Sequence, residues 1–111
     1  CFVAAVGSDS PGKQEVDPAL IAENKLIVDI ASQCIEVGDK HHAIENGLIT
    51  KEHIYAELSE IVSETKKGRE NDNEIIVFDA TGSGLQDAAA AAFVYEESLK
   101  HNKGVKFEFW G

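Results

Sequence analysis

The sequence predicts an α/β protein built on a parallel sheet of the doubly wound type. Three observations carry that expectation. Apolar runs of strand length recur at Phe2 to Val6, Leu26 to Ile30 and Ile75 to Phe78, and they are nearly continuous, as strands covered on both faces of a parallel sheet are. Segments with helix start and stop signals lie between them. The first and third runs each end in a turn rich in glycine and aspartate, where open α/β sheets hold their ligands.

Taken in order, Phe2 to Val6 is stopped by Gly7 and followed by the turn formers Ser8-Asp9-Ser10-Pro11-Gly12-Lys13. Asp17 then supplies an N-cap with Pro18 at the first helical position, so Ala19 to Asn24 is expected as a short helix. After the second strand, Ala31 to Val37 can make a helical turn that Gly38 stops. Thr50 is a good N-cap, and Ile54, Leu58, Ile61 and Val62 recur at helical spacing beyond it, which predicts an amphipathic helix with Glu52, Glu57, Glu60 and Glu64 on its other face. Lys66 to Asn73 is a charged connector. Past the third strand, Gly82-Ser83-Gly84 opens an alanine-rich helix from Leu85 to Lys100, whose small side chains at Ala88 to Ala92 permit close approach to a sheet. Val105 to Trp110 alternates weakly and reads as a last strand, with Phe107 and Phe109 on one face. Only three apolar strands precede it, which amounts to half a doubly wound sheet. Tyr55, Phe93 and Tyr95 read as packing residues, and His53 and His101 as exposed.

Composition bounds the function. At 111 residues and 43% hydrophobic content the chain can bury one core. No apolar run approaches the ~20 residues of a membrane span, and the first residues lack a basic leader, so a soluble cytoplasmic protein is expected. A net charge of −10 opposes both nucleic acid and anionic membrane surfaces. Cys1 and Cys34 show neither a disulfide framework nor zinc spacing and read as reduced. The chain has no methionine and opens on Cys1 inside an apolar run, which reads as a piece of a longer protein; a processed mature protein starting at Cys1 is the plainer alternative.

Two turns carry candidate chemistry. Asp9 and Lys13 sit four residues apart in the first, so Asp9 can act as a general acid or base and Lys13 can pair with an anion. The competing reading is that Asp9 caps its own turn and Lys13 is solvated. In the second, Asp79-Ala80-Thr81-Gly82-Ser83-Gly84, backbone N–H groups at a helix start can receive an anion. Asp87 stands where a third glycine would complete a dinucleotide fingerprint, so that motif is absent, and the competing reading has Asp79 capping the turn. His41 and His42 are adjacent and near Asp39, but neighbouring residues do not converge on one point, so no metal is expected.

These turns carry a family resemblance. Residues 5 to 15, AVGSDSPGKQE, closely resemble the Gly-x-Asp-x-Pro-Gly-Lys-x-Glu segment of ornithine cyclodeaminases, mu-crystallin and the related archaeal-type alanine dehydrogenases. Residues 69 to 87, RENDNEIIVFDATGSGLQD, resemble that family's second signature, a polar Gly-Arg leader, a strand ending Phe-Asp-Ser-Thr-Gly and a helix carrying Gln-Asp. The likeness covers essentially the whole chain. It implies that residues 1–100 are the second half of a Rossmann-type dinucleotide-binding domain, and that residues 101–111 are a C-terminal strand segment returning to a missing N-terminal dimerisation domain.

The resemblance also implies NAD or NADP as cofactor, a small amino-acid substrate and a homodimer. By it, Asp9 is the catalytic acid/base, Lys13 lies in the same active-site loop, and Gly7, Asp79, Ala80, Thr81 and Gly82 line the nicotinamide end of the cofactor. Ala80 stands where the family usually has serine, which removes a hydroxyl near the expected nicotinamide position. The implied chemistry is hydride transfer from the substrate α-carbon to nicotinamide, giving an imine that water hydrolyses or an internal amine attacks. The phosphate loop and the residues that would hold the substrate carboxylate belong upstream of Cys1, so the chain alone is expected to be inactive. A non-catalytic, mu-crystallin-like binder of nucleotide or small ligand is the alternative.

Overall fold

The computed structural model describes residues 1–110. Four short strands, β1 (Phe2–Ala5), β2 (Lys25–Val28), β3 (Ala56–Glu57) and β4 (Ile76–Asp79), form one sheet in the order β1-β4-β2-β3, every pairing parallel. Five helices accompany them: α1 (Pro18–Ala22), α2 (Ala31–Glu36), α3 (Asp39–Glu45), α4 (Leu58–Val62) and α5 (Gly84–Lys100). The parallel α/β architecture expected from the apolar runs is therefore present. Asp79 on β4 is in register with Ala5 on β1 and Val28 on β2, so the carboxyl ends of these three strands lie side by side.

The core occupies one face of the sheet. Ala5, Leu26, Val28 and Val77 point into it and meet Ile21 of α1, Cys34 of α2 and Ala43 of α3. On the opposite face Phe2, Ile27, Ile76 and Phe78, with Leu58 and Ile61 of α4, line a groove of about 490 Å³ in which Ile27 and Ile76 are buried and Phe2 is exposed. Strands read as covered on both faces thus have α1, α2 and α3 on one face and only the short α4 beside the other among the described residues. α1 forms as its signals dictate, with Asp17 accepting from the Ala19 N–H at 2.8 Å and Pro18 at its start.

Five expectations need correction. The amphipathic helix placed beyond Thr50 is instead a 3-10 turn at Lys51–His53, then β3, then α4. The sheet edge wins over helical periodicity there: Tyr55 N–H donates to Leu26 O at 2.9 Å and Ala56 pairs with Ile27, burying Ala56. Gly38 stops α2 as expected but also starts α3, which was not foreseen. The alanine-rich helix forms as α5, yet none of its residues is buried, Phe93 and Tyr95 included, so its small side chains approach no sheet. Val105 to Trp110 forms no strand and lies exposed, with no strand edge beside it to complete a ladder. His101 is exposed as expected, whereas His53 is half-buried with Nε2 3.3 Å from Ile21 O.

Candidate functional site

The loops that follow β1 and β4 leave adjacent strand ends, and Ala80 N–H donates to Ala5 O at 2.9 Å to extend the ladder between them. In the first loop, Asp9 N–H donates to Gly7 O at 3.0 Å and Lys13 N–H to Ser10 O at 3.2 Å. Gly12 takes φ +83 to close the second of these turns, a conformation glycine adopts without strain. These turns bring Lys13 Nζ to 2.6 Å from Asp9 Oδ1. Lys13 is thus paired with Asp9 and not merely solvated, while the Asp9 carboxylate also interacts with its own backbone N–H, as a turn cap does. Both side chains remain more than half exposed, and the hydrogen bond and charge of Lys13 hold the Asp9 carboxyl below the usual carboxylate range. Asp9 is therefore ionised and accessible. Ser10 Oγ also approaches Oδ1, at 3.4 Å.

The stem of this loop is pinned from inside. Gly7 N–H donates to Glu15 Oε2 at 2.7 Å, and a Cβ on Gly7 would collide with the same carboxylate. The fully buried Asp39 accepts from the N–H groups of Glu15 and Val16 at 2.7 and 3.0 Å through Oδ1. His42 on α3 places Nε2 2.7 Å from Lys13 O. Ser8, also fully buried, leaves Oγ without a hydrogen-bond partner among the described residues, as does Asp39 at Oδ2.

The second loop is built on buried carboxylates. Asp79 accepts from the N–H groups of Asp39 and Lys40 at 3.2 and 2.8 Å, so it caps α3, a helix far from it in sequence, and not its own turn. Burial pushes the Asp79 carboxyl up to about 6 against these hydrogen bonds, and the nearby charges of Asp39 and Asp29 push the same way. At the end of β2, burial likewise opposes ionisation of Asp29. Hydrogen bonds from the Cys34 thiol and from the backbone N–H groups of Ile30, Gly82 and Thr81 outweigh it and hold Asp29 below the usual range. Cys34, which donates to Asp29 Oδ1 at 3.1 Å, is pushed up to about 12 by burial first and by Asp29 second. It is an inert, reduced thiol.

Of the residues expected to line a nicotinamide, Asp79, Ala80 and Thr81 are buried and Gly82 is exposed. Gly82 has φ +83 with open space where a Cβ would stand. Its N–H is already given to Asp29 Oδ2 at 2.8 Å, and its carbonyl accepts from Gln33 at 3.1 Å. Gly7 lies beside the Asp9 turn. The geometry therefore joins Gly7, Asp9 and Lys13 in one loop and sets the Asp79–Gly82 segment on the neighbouring strand, with the Asp79 carboxylate turned inward. Sequence reasoning missed Asp29, Asp39 and His42; an aspartate closing an apolar run, and another directly after a glycine, were the available signals. His41 and His42 serve separate carbonyls, those of Ile35 and Lys13.

Comparison with known proteins agrees with these motifs. The family model described as Ornithine cyclodeaminase/mu-crystallin family matches residues 1–102. The alanine dehydrogenase of Archaeoglobus fulgidus is 40% identical over 108 residues, covering 97% of this chain and 34% of that protein. The iminosuccinate reductase of Paracoccus denitrificans is 43% identical over 106 residues, 96% of this chain and 32% of that protein. Among solved structures, the Delta(1)-pyrroline-2-carboxylate reductase of Thermococcus litoralis, in complex with NADH and L-proline, superposes with a TM-score of 0.84 at 34% identity. It is matched over 96% of this chain and 33% of its own. The chain spans about a third of the length of these relatives. With both signature loops in register on a shared parallel sheet, the chain belongs to the ornithine cyclodeaminase/mu-crystallin family.

Proposed function

We propose that this chain supplies the nicotinamide-side half of the active site of a longer NAD(H)- or NADP(H)-dependent enzyme that interconverts small α-amino acids and their imines. The observation that carries the reading is the exposed Asp9–Lys13 pair, 2.6 Å apart at the carboxyl end of β1, next to the loop after β4. Ligands of open α/β sheets bind at such strand ends. Relatives named as alanine dehydrogenase, iminosuccinate reductase and Delta(1)-pyrroline-2-carboxylate reductase support the substrate class, and solved relatives in complex with NAD+ or NADH support the cofactor.

The residues present fit the nicotinamide end of such a cofactor. Gly82 stands in open space at φ +83, and Ala80 is small and buried beside it. Gly7 and the Asp79–Gly82 segment would line that end. The bound cofactor supplies hydride transfer. Asp9 holds or releases a proton at Oδ2, serving the substrate nitrogen or an attacking water, while Lys13 keeps the carboxylate ionised between turnovers. The buried Asp79 contributes through its hold on α3.

In this reading residues 1–100 form the second half of a dinucleotide-binding domain. Residues 101–110, exposed here, return to another domain of a homodimer, as the relative described as an archaeal alanine dehydrogenase dimer supports. The test is a steady-state assay of the longer protein with NAD(H) and NADP(H), offering L-alanine, L-proline, Delta(1)-pyrroline-2-carboxylate and iminosuccinate. Turnover of one of these is the expected result. Cofactor binding without turnover of any would make the protein a binder and not an enzyme, and failure to bind either cofactor would overturn the reading.

A further inference from the structure

The loop from Gly7 to Val16 carries its two charged residues in the open. Asp9 and Lys13 are each more than half exposed, so packing does not fix where they point. Their placement rests on polar anchors. Two of these, Asp39 to the Glu15 and Val16 N–H groups and Glu15 to the Gly7 N–H, tie down the ends of the loop. The remaining anchor reaches its middle: His42 Nε2 stands 2.7 Å from Lys13 O. A carbonyl can only accept, so the hydrogen lies on Nε2. The other ring nitrogen, Nδ1, is 3.9 Å from Glu45 Oε2, too far to compete for the ring's orientation.

His42 is itself placed by the core. It lies on α3, whose first N–H groups are held by the buried Asp79 and whose Asp39 is fully buried. Its side chain is only 17% exposed. Fixing the Lys13 carbonyl fixes the backbone from which the ammonium reaches Asp9 Oδ1. We infer that His42 is a positioning residue for the reaction proposed above, its imidazole holding the Lys13 carbonyl so that the Asp9–Lys13 pair faces the bound substrate. The inference rests on that functional reading.

Two variants of the longer protein test it, His42→Ala and His42→Gln, assayed with whichever substrate the wild type turns over. Misplacing a reacting group by about an ångström costs on the order of 100-fold, so His42→Ala should lower kcat by roughly 10- to 100-fold. NADH affinity should stay near wild type, because the His42 ring is hydrogen-bonded to the Lys13 carbonyl and to none of the residues expected to line the cofactor, and kcat is expressed per folded molecule. The Gln carboxamide offers an N–H at similar reach and should restore most of kcat. Unchanged kcat in His42→Ala, a loss that merely follows the folded fraction, or no rescue by Gln would each overturn the inference. Asp9→Asn measured alongside separates the two claims. If it abolishes turnover while His42→Ala is silent, only the positioning role falls; if turnover survives it, both fall.

Discussion

The carboxylate of Asp79, last residue of β4, lies against the backbone of Gly38, where an added Cβ would come within 2.7 Å of Oδ2 and 2.9 Å of Oδ1. This approach lets the next two N–H groups, of Asp39 and Lys40, reach the carboxylate and fixes the start of α3. Gly38 has φ −73, open to any residue, so its requirement is space and not backbone freedom. Gly38→Ala should therefore destabilise the fold by about 1–3 kcal/mol through overpacking. Urea unfolding checks this, and a loss below about 0.5 kcal/mol, the range of an ordinary surface change, would contradict the packing.

Asp79 should titrate well above an ordinary aspartate. Its carboxyl is pushed up to about 6 by burial, against a usual value of 3.8. A folded-state value above the unfolded one means that the folded protein binds the proton more tightly. Its stabilising contribution is thus complete below about 4 and is lost as pH rises through about 6. Carboxyl carbon NMR should show the Asp79 resonance moving near pH 6, and Asp79→Asn should remove that part of the pH dependence of stability. A midpoint near 4, the ordinary range, would contradict the burial.

The 111-residue chain on its own should associate in solution. Phe2 is 59% exposed at the groove on the second sheet face, and α5 shows Leu85 at 80% and Phe93 at 66%. The Cα radius of gyration of 17.6 Å exceeds the ~13 Å of a compact domain of this size. A net charge of −10 opposes association but is screened at physiological salt. Light scattering across a dilution series should find oligomers, and a monomer at all concentrations would count against the exposed apolar faces as docking surfaces.

Much of the fold was legible because local rules and tertiary packing agreed. The runs at Phe2, Leu26 and Ile75 became β1, β2 and β4 within a residue or two, and Asp17-Pro18 started α1. The failures came where a partner decided the outcome. Ile54 to Glu57 fits a helix by spacing, but the free edge of β2 draws Tyr55 and Ala56 into a strand. Val105 to Trp110 has strand alternation and no edge to pair with. In the site, Asp9 and Lys13 were legible from turn chemistry, their mutual bond less so. Asp29, Asp39 and Asp79 were not: a buried carboxylate that serves backbone N–H groups on another element leaves no periodic trace, because its partners lie as much as 53 residues away.

The most direct test of the account is Asp9→Asn in the longer protein, measured by steady-state kinetics, NADH titration and thermal unfolding on one preparation. Asparagine keeps size and hydrogen-bonding capacity but cannot hold and release the proton at Oδ2. Loss of a general acid/base typically lowers the rate ~100-fold or more, so turnover should collapse by at least about that factor. Cofactor affinity should be nearly unchanged, since Asp9 lies outside the segment expected to line the nicotinamide. A melting point that falls while the rate per folded molecule stays near wild type would make Asp9 a structural residue and contradict the account.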